Sequence, residues 1–427
     1  TIKLTLYYSG FRGIIWLFDL ATLLQYRPEA HMTTTNRRVF LTAAVATAAS
    51  YNRILGANDR IRVGAIGTGQ RCQYLLSVLN KIGSNEIVAT CDVYEPHRLA
   101  AKEKYAVADA KDYGDHRQIL DRNDIDAVVI GTPDHWHVPI TIASVQAGKD
   151  VYCEKPVTHR IEEGDSLIAA VRESKKVVQT GTQQRSWPHY LQAKDLITSG
   201  QLGQVTFIRT YWYQNHVANQ TSGVAVDLSK LDWKRFLGTA PERPFDADQY
   251  AHWRWYWDFG GGAMTDLFVH WVDVAQWFTG EDMPVRATAT GIKAILKQRQ
   301  TPDTMSAALQ YPNTVVEFDS ALLGYIEGGG LMFRGTKAAL RLHRRGMALY
   351  PEMPSYSESF EPTNPLLQVK SKQDGAIDHM QNFLDCIRSR ATPNAPVEVG
   401  VAAARAGHIA NFALRGNGVW TPGSPQA

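Results

Sequence analysis

The chain has 427 residues, 44% of them hydrophobic and 20% charged, with a formal net charge of +3. That length exceeds one ordinary domain, and the composition is globular rather than fibrous or disordered. A charge so small and so scattered gives no basis for binding nucleic acid or an anionic membrane, and no internal repeat or low-complexity tract is present.

Met32 is the first methionine, and Asn36-Arg37-Arg38-Val39-Phe40-Leu41 follows it closely. An apolar, alanine-rich run from Thr42 to Ala49 comes next, too short to span a bilayer and ending in an Ala-x-Ala-like site. This resembles a twin-arginine export signal. Residues 1–57 are therefore expected to be an upstream extension plus signal, and the protein periplasmic or otherwise exported. A chance Arg-Arg pair in an extension is the other reading, and it would leave the protein cytoplasmic. No stable membrane insertion is expected.

Ile61–Ile66 is a short apolar run that reads as a buried parallel strand and feeds into Gly67-Thr68-Gly69-Gln70-Arg71-Cys72. Leu75, Val78, Leu79 and Ile82 then recur at helical spacing. Strand, glycine turn and helix in that order form the context of a dinucleotide fingerprint, with the pyrophosphate on the helix N-terminus. The third glycine of that pattern is replaced by Cys72. A second strand over Glu86–Cys91 ends at Asp92, about 20 residues past the loop, where an acid meets the ribose hydroxyls. A carboxylate there favours NAD; Arg98 nearby keeps NADP open, and a solvated strand-end acid is the bland alternative.

The alternation continues with strands at Ala127–Ile130, Val151–Cys153 and Val177–Gln179 and helices at Val138–Val145 and Ile161–Val171. Repeated strand–helix units predict a doubly wound parallel sheet over residues 58–182. Ligands bind at the carboxyl ends of such strands, and polar clusters stand there. Candidate cofactor contacts are Gly67, Thr68, Gly69, Gln70, Arg71, Asp92, Thr132, Pro133, His135, His137, Glu154, Lys155 and Gln183. His135 and His137 with Asp134 do not make a metal site, because alternate loop positions rarely converge on one ion. Cys72, Cys91, Cys153 and Cys386 have neither zinc nor disulfide spacing and are expected to be buried, reduced thiols.

From about residue 183 the pattern changes. Strands are expected at Val205–Tyr213, Arg286–Ile295, Ser306–Gln310, Thr314–Leu322, Gly330–Arg334 and Ala339–Leu342. They suggest an α+β domain over 183–427 with a large, open, mostly antiparallel sheet. The helices at Ile377–Ile387 and Val397–Leu414 are expected to pack back toward the first domain. Tyr250–Phe259 is densely aromatic and includes Trp253, Arg254 and Tyr256. Such rings either stack on sugar C–H faces or fill a core. Trp136 and Trp187, which follow strands of the first domain, are candidates for the same cleft.

Next comes Gly260-Gly261-Gly262, followed by Asp266, His270 and Asp273. Glycines before a helix permit close approach of a ligand to backbone. On an α-helix Asp266 and His270 would share a face, and Asp273, one turn on, could orient the imidazole. The alternative is a packed, satisfied histidine with Asp266 as a helix cap.

Glu154-Lys155-Pro156 after a strand of a glycine-loop domain, together with the Gly260–Asp273 motif, resembles the Gfo/Idh/MocA oxidoreductase family across residues 58–415. The resemblance implies hydride transfer between a nicotinamide cofactor and a sugar, sugar derivative or cyclitol. It implies Lys155 at the reacting hydroxyl, His270 as general base and Asp266 tuning it or binding substrate; from their positions in the sequence, Arg185, Trp253, Arg254, Tyr256 and Asp273 are the substrate candidates. It also implies a homodimer or homotetramer through the sheet. An NAD-dependent, redox-neutral glycoside hydrolase of the same family is the alternative enzyme, and a nucleotide-bound sensor the non-enzyme reading. Export of a folded enzyme would require its cofactor to be loaded first and held tightly.

Overall fold

The computed structural model describes residues 60–216, 225–352 and 364–424. The twin-arginine stretch lies outside the described residues. Six strands form the first sheet: β1 (Ile61–Ile66), β2 (Asn85–Cys91), β3 (Lys111–Tyr113), β4 (Ala127–Ile130), β5 (Asp150–Cys153) and β6 (Val178–Thr180). They are all parallel, in the order β3-β2-β1-β4-β5-β6. The order reverses between β1 and β4, which opens a crevice at their carboxyl ends. Val63, Val128, Val129 and Val151 are wholly buried, as expected of strands covered on both faces. Each such side chain contributes about 1.5–3 kcal/mol.

Helix α1 (Gln70–Ile82) leaves the glycine turn, and α2 (Glu95–Tyr105), α3 (His137–Gln146) and α4 (Glu163–Ser174) follow successive strands. Cys72 takes the third glycine's place because Gly131 opposite makes room. A Cβ at Gly131 would lie 2.8 Å from the Cys72 Cβ. The small residue has moved from helix to strand, and the close packing remains. All four cysteines are free and buried.

The second sheet has nine strands. They are β7 (Val205–Tyr213), β8 (Arg286–Ile292), β9 (Thr304–Gln310), β10 (Val315–Ala321), β11 (Gly329–Gly335), β12 (Ala338–His343), β13 (Gly346–Pro351), β14 (Leu367–Lys370) and β15 (Val419–Trp420). Their order is β14-β13-β12-β11-β7-β10-β9-β8-β15, antiparallel except for the β7–β10 pair. Helix α5 (Val269–Thr279) covers one face, and Phe268 and Phe278 stack there on Phe318 and Phe333.

The last two helices join the halves. In α6 (Ala376–Ser389), Met380, Phe383, Leu384 and Ile387 pack into the core that flanks β1. Helix α7 (Val397–Arg415) places Val401 in the core on the other face of the parallel sheet and Ile409 in that of the second sheet. The two sheets belong to one compact unit from Arg60 onward.

Candidate active site

A cleft of about 940 Å³ runs between the sheets. Its first wall is the crevice of the parallel sheet. Gly67 has φ +74°, and a Cβ there would fall 2.5 Å from Thr132 Cγ2, so the turn needs glycine. Gly69 caps α1 with no side-chain hydrogen bond, no acid stands in the first turn, and a Cβ on it would meet nothing within 4 Å. Uncapped helix N–H groups beside open space suit an anionic pyrophosphate. Asp92, at the end of β2, accepts from the Tyr94 N–H and lies 3.6 Å from His97. Arg98 is spent on Asp112 and Glu95. These residues therefore fit a dinucleotide whose ribose carries no 2′-phosphate.

Of the other candidate cofactor contacts, Gln70, Arg71, Thr132, Pro133, His137, Glu154, Lys155 and Gln183 all line the cleft. Arg71 is held by Glu154 at 2.8 Å and by Gln183 at 2.7 Å. Thr68 and His135 do not line it. Thr68 is wholly buried, and the His135 ring turns away to the Phe236 carbonyl. The His137 ring nitrogens face the carbonyls of Pro156 and Thr132. The two histidines thus point to different partners.

Lys155, which follows β5 on this wall, reaches across to Asp266, and His270 lines the same cleft. Lys155 Nζ donates to Asp266 Oδ1 at 2.6 Å and to the Asp266 carbonyl at 2.8 Å, while Arg254 Nε donates to the same Oδ1 at 3.1 Å. Burial alone would raise the Asp266 carboxyl. Lys155 and Arg254 more than offset this and hold it well below its ordinary value. His270 is buried against Trp212, rings 5.8 Å apart and 20° from parallel, and its Nδ1 has no partner among the described residues. Burial first, then the charges of Arg344, Lys155 and Arg71, drive its pKa well below the usual 6.5. A neutral imidazole facing a cleft can take up a proton.

Several sequence expectations require correction. Asp266 and His270 are not hydrogen-bonded among the described residues: the Asp266 carboxylate, within the π-helical turn Met264–Phe268, is taken by Lys155 and Arg254, and His270 Nδ1 has no partner. Asp273 does not orient His270. It is wholly buried and accepts from Arg185 Nε at 2.9 and 3.0 Å. Burial lifts its carboxyl to about 6 despite the Arg185 charge. Neither Arg185 nor Asp273 reaches the cleft. Nor does Tyr256, whose hydroxyl bonds Asp248, while Trp253 and Arg254 do line it. Trp136 lines the cleft; Trp187 is core. The glycine triplet serves protein packing rather than a ligand: a Cβ on Gly262 would sit 2.8 Å from Thr301, and one on Gly261 would sit 2.5 Å from Thr265.

Sequence reasoning missed Trp212, Gln214 and His216, just past or within the end of β7, and Arg344, in the turn after β12. It also missed how the stretch before Tyr256 is laid over the nucleotide side. Asp232 N–H bonds the Val93 carbonyl, Arg235 bonds the Gly114 carbonyl, and Trp136 bonds that of Phe236. Tyr250 and His252 then share the cleft with Asp92.

Two family models match the chain: "Oxidoreductase family, NAD-binding Rossmann fold" over residues 61–182, and "GFO/IDH/MocA C-terminal domain" over 190–341. The chain belongs to the Gfo/Idh/MocA oxidoreductase family. Inositol 2-dehydrogenase of Salmonella typhimurium is 31% identical over 155 residues, 36% of this chain and 46% of that protein. Levoglucosan dehydrogenase of Pseudarthrobacter phenanthrenivorans is 30% identical over 173 residues, 40% of this chain and 38% of that protein. The chain thus spans less than half the length of these two curated relatives. The structure of myo-inositol 2-dehydrogenase from Lactobacillus plantarum superposes with a TM-score of 0.64 at 20% identity, covering 85% of this chain and 99% of its own. At that identity the likeness concerns the Gfo/Idh/MocA fold alone.

Proposed function

We propose that the protein moves a hydride between a tightly held NAD and a CH–OH group of a sugar, sugar derivative or cyclitol. The observation that carries this reading is Lys155 bound to Asp266 beside a neutral His270, in the cleft that also contains the glycine turn. Gly67–Arg71 and Asp92 would hold NAD, which would supply the hydride acceptor. An ammonium has three donors, and Asp266 occupies two of those on Lys155, which leaves one for a substrate hydroxyl. His270 accepts the hydroxyl proton, and the two bonds to Asp266 hold Lys155 in place while a carbonyl forms. Trp253 and Arg254 border the same space.

The reading includes NAD over NADP, because Asp92 is placed for ribose and Arg98 is engaged elsewhere. It includes slow cofactor exchange, since the second domain is stitched to the first at Val93 and Gly114 beside the nucleotide end. It also includes export through the Arg37-Arg38 signal with the nucleotide already loaded. Assembly as a homodimer or homotetramer would use the exposed sheet face, where alternate residues of β9 and β10 are only partly buried. The redox-neutral glycosidase needs the same cofactor and base, and nothing in the cleft favours it over simple dehydrogenation.

Two measurements test the proposal. The nucleotide released by denaturing purified protein, identified by mass, is expected to be NAD. A panel of sugars, polyols and cyclitols, followed by nicotinamide absorbance, is expected to contain a substrate. NADP as the released nucleotide refutes the cofactor assignment, and no hydride exchange across the panel refutes the activity.

A further inference from the structure

Among the described residues, one arginine that lines the cleft stands in no ion pair. Arg344 stands in the turn between β12 and β13 and faces the cleft that holds Lys155 and His270. Other cations there are paired: Arg71 with Glu154, Arg235 with Asp115 and Asp232, while Lys155 and Arg254 share the one carboxylate of Asp266. Arg344 forms no ion pair among the described residues, and its Nε is buried without an acceptor. A buried charged donor left unsatisfied is costly, so its retention calls for a reason.

The protein supplies only a partial one. The Arg344 guanidinium carbon lies 4.9 Å from the Trp212 ring centroid and 5.7 Å from that of Trp271. Attraction to an indole face holds the cation but leaves its Nε–H without an acceptor among the described residues. Trp212 in turn stacks on His270, so Arg344, Trp212 and His270 form one layered wall.

We propose that Arg344 is an anion subsite, and that the sugar or cyclitol handled here carries a carboxylate, as a uronic or aldonic acid does. This rests on the hydride-transfer reading above. The planar fork of a guanidinium matches the two oxygens of a carboxylate. One guanidinium free of any ion pair offers a two-pronged site of carboxylate size, whereas a phosphate is ordinarily met by several cations or a row of backbone N–H groups. The cofactor's own phosphates have such a row at the start of α1, on the other domain. A carboxylate on Arg344 would hold the sugar beside His270 and Lys155.

The test uses the purified full chain with its retained nucleotide and probe pairs that differ in the acid group. Glucuronate is set against glucose, galacturonate against galactose and gluconate against sorbitol, with glucose 6-phosphate as the phosphate arm. Titration calorimetry reads binding without turnover. The acid of at least one pair is expected to bind about 10- to 100-fold tighter than its neutral partner, the range of a charge-assisted hydrogen bond. Arg344→Gln should collapse that ratio toward one, and Arg344→Lys, which keeps the charge and loses the fork, should restore only part of it.

Equal affinities within every pair for the wild type overturn the proposal without any variant. So does a preference for glucose 6-phosphate over all carboxylates, or an acid preference that survives Arg344→Gln. Loss of bound nucleotide from Arg344→Gln with the acid preference intact assigns the side chain to the cofactor and overturns it too. Acid-selective, Arg344-dependent binding with no hydride exchange keeps the subsite and refutes the dehydrogenase. Hydride exchange confined to neutral sugars does the reverse.

Discussion

Lys155 Nζ donates to both the side chain and the main chain of Asp266, at 2.6 and 2.8 Å, so one residue fixes the lysine from two directions. The pair is partly buried, with side-chain exposures of 12% and 14%, and is therefore little screened by solvent. Lys155→Met removes the donor to the substrate hydroxyl and is expected to lower kcat by about 10²–10⁴-fold. The NAD content should hold, because the glycine turn is untouched. Asp266→Asn, which leaves the carbonyl contact, should cost less. Single-turnover rates of the two variants check the order.

The pH dependence follows from His270. Burial, then Arg344, Lys155 and Arg71, lower its pKa, so the imidazole is already neutral at pH 6.5. The acid limb of kcat/KM is expected wholly below about 6.5, the ordinary histidine value. Arg344→Gln removes a positive neighbour and should move that limb upward. A pH profile with its acid midpoint above 6.5 would contradict the assignment of His270 as base.

Stability should weaken in acid for a related reason. His379 and His408 are buried and lowered by burial to about 4 and about 3. Their folded pKa values lie below the unfolded one, so below about pH 6.5 the native state binds fewer protons than the unfolded chain. Their contribution is full above about 6.5 and is lost as pH drops toward the folded values. Tm is expected to decline between pH 6.5 and 4, and His379→Gln should flatten that decline. Differential scanning calorimetry across the range decides it.

Arg185 and Asp273 sit behind the cleft rather than in it. Removing the arginine would strand a wholly buried carboxylate. Arg185→Met should destabilise by about 3–5 kcal/mol, while Arg185→Met with Asp273→Leu should recover most of that loss. Denaturant titration of the single and double variants measures it. A single variant as stable as wild type would show that the pair is not the support the geometry describes.

The contact between Cys72 and Gly131 can be tested by exchange. Gly131→Ala would force two Cβ atoms to 2.8 Å and should cost about 1–3 kcal/mol by overpacking. Adding Cys72→Gly returns space to the helix and is expected to restore part of the stability, read again by denaturant midpoint. If the two losses simply add, the two positions are not coupled.

What the sequence determined by itself is local. The bounds of β1, β4 and β7 are those the apolar patterning predicts, because burial on one or both faces writes a period into a single strand. The glycine turn was legible because a positive φ and an uncapped helix start admit few residues. The short strands β13, β14 and β15 were not, since segments near the sheet edges carry little patterning. Pairing was decided only in three dimensions. Asp266 and His270 look like partners on an ideal helix, yet the Asp266 carboxylate is held by Lys155 and Arg254. Asp273 looks like a companion of His270, yet it belongs to Arg185, and Arg344 reaches the cleft from a hairpin with no signal of its own. Spacing along one element encodes which side chains share a face. Which distant charge each face meets depends on how the two sheets pack, and that was settled by the tertiary structure alone.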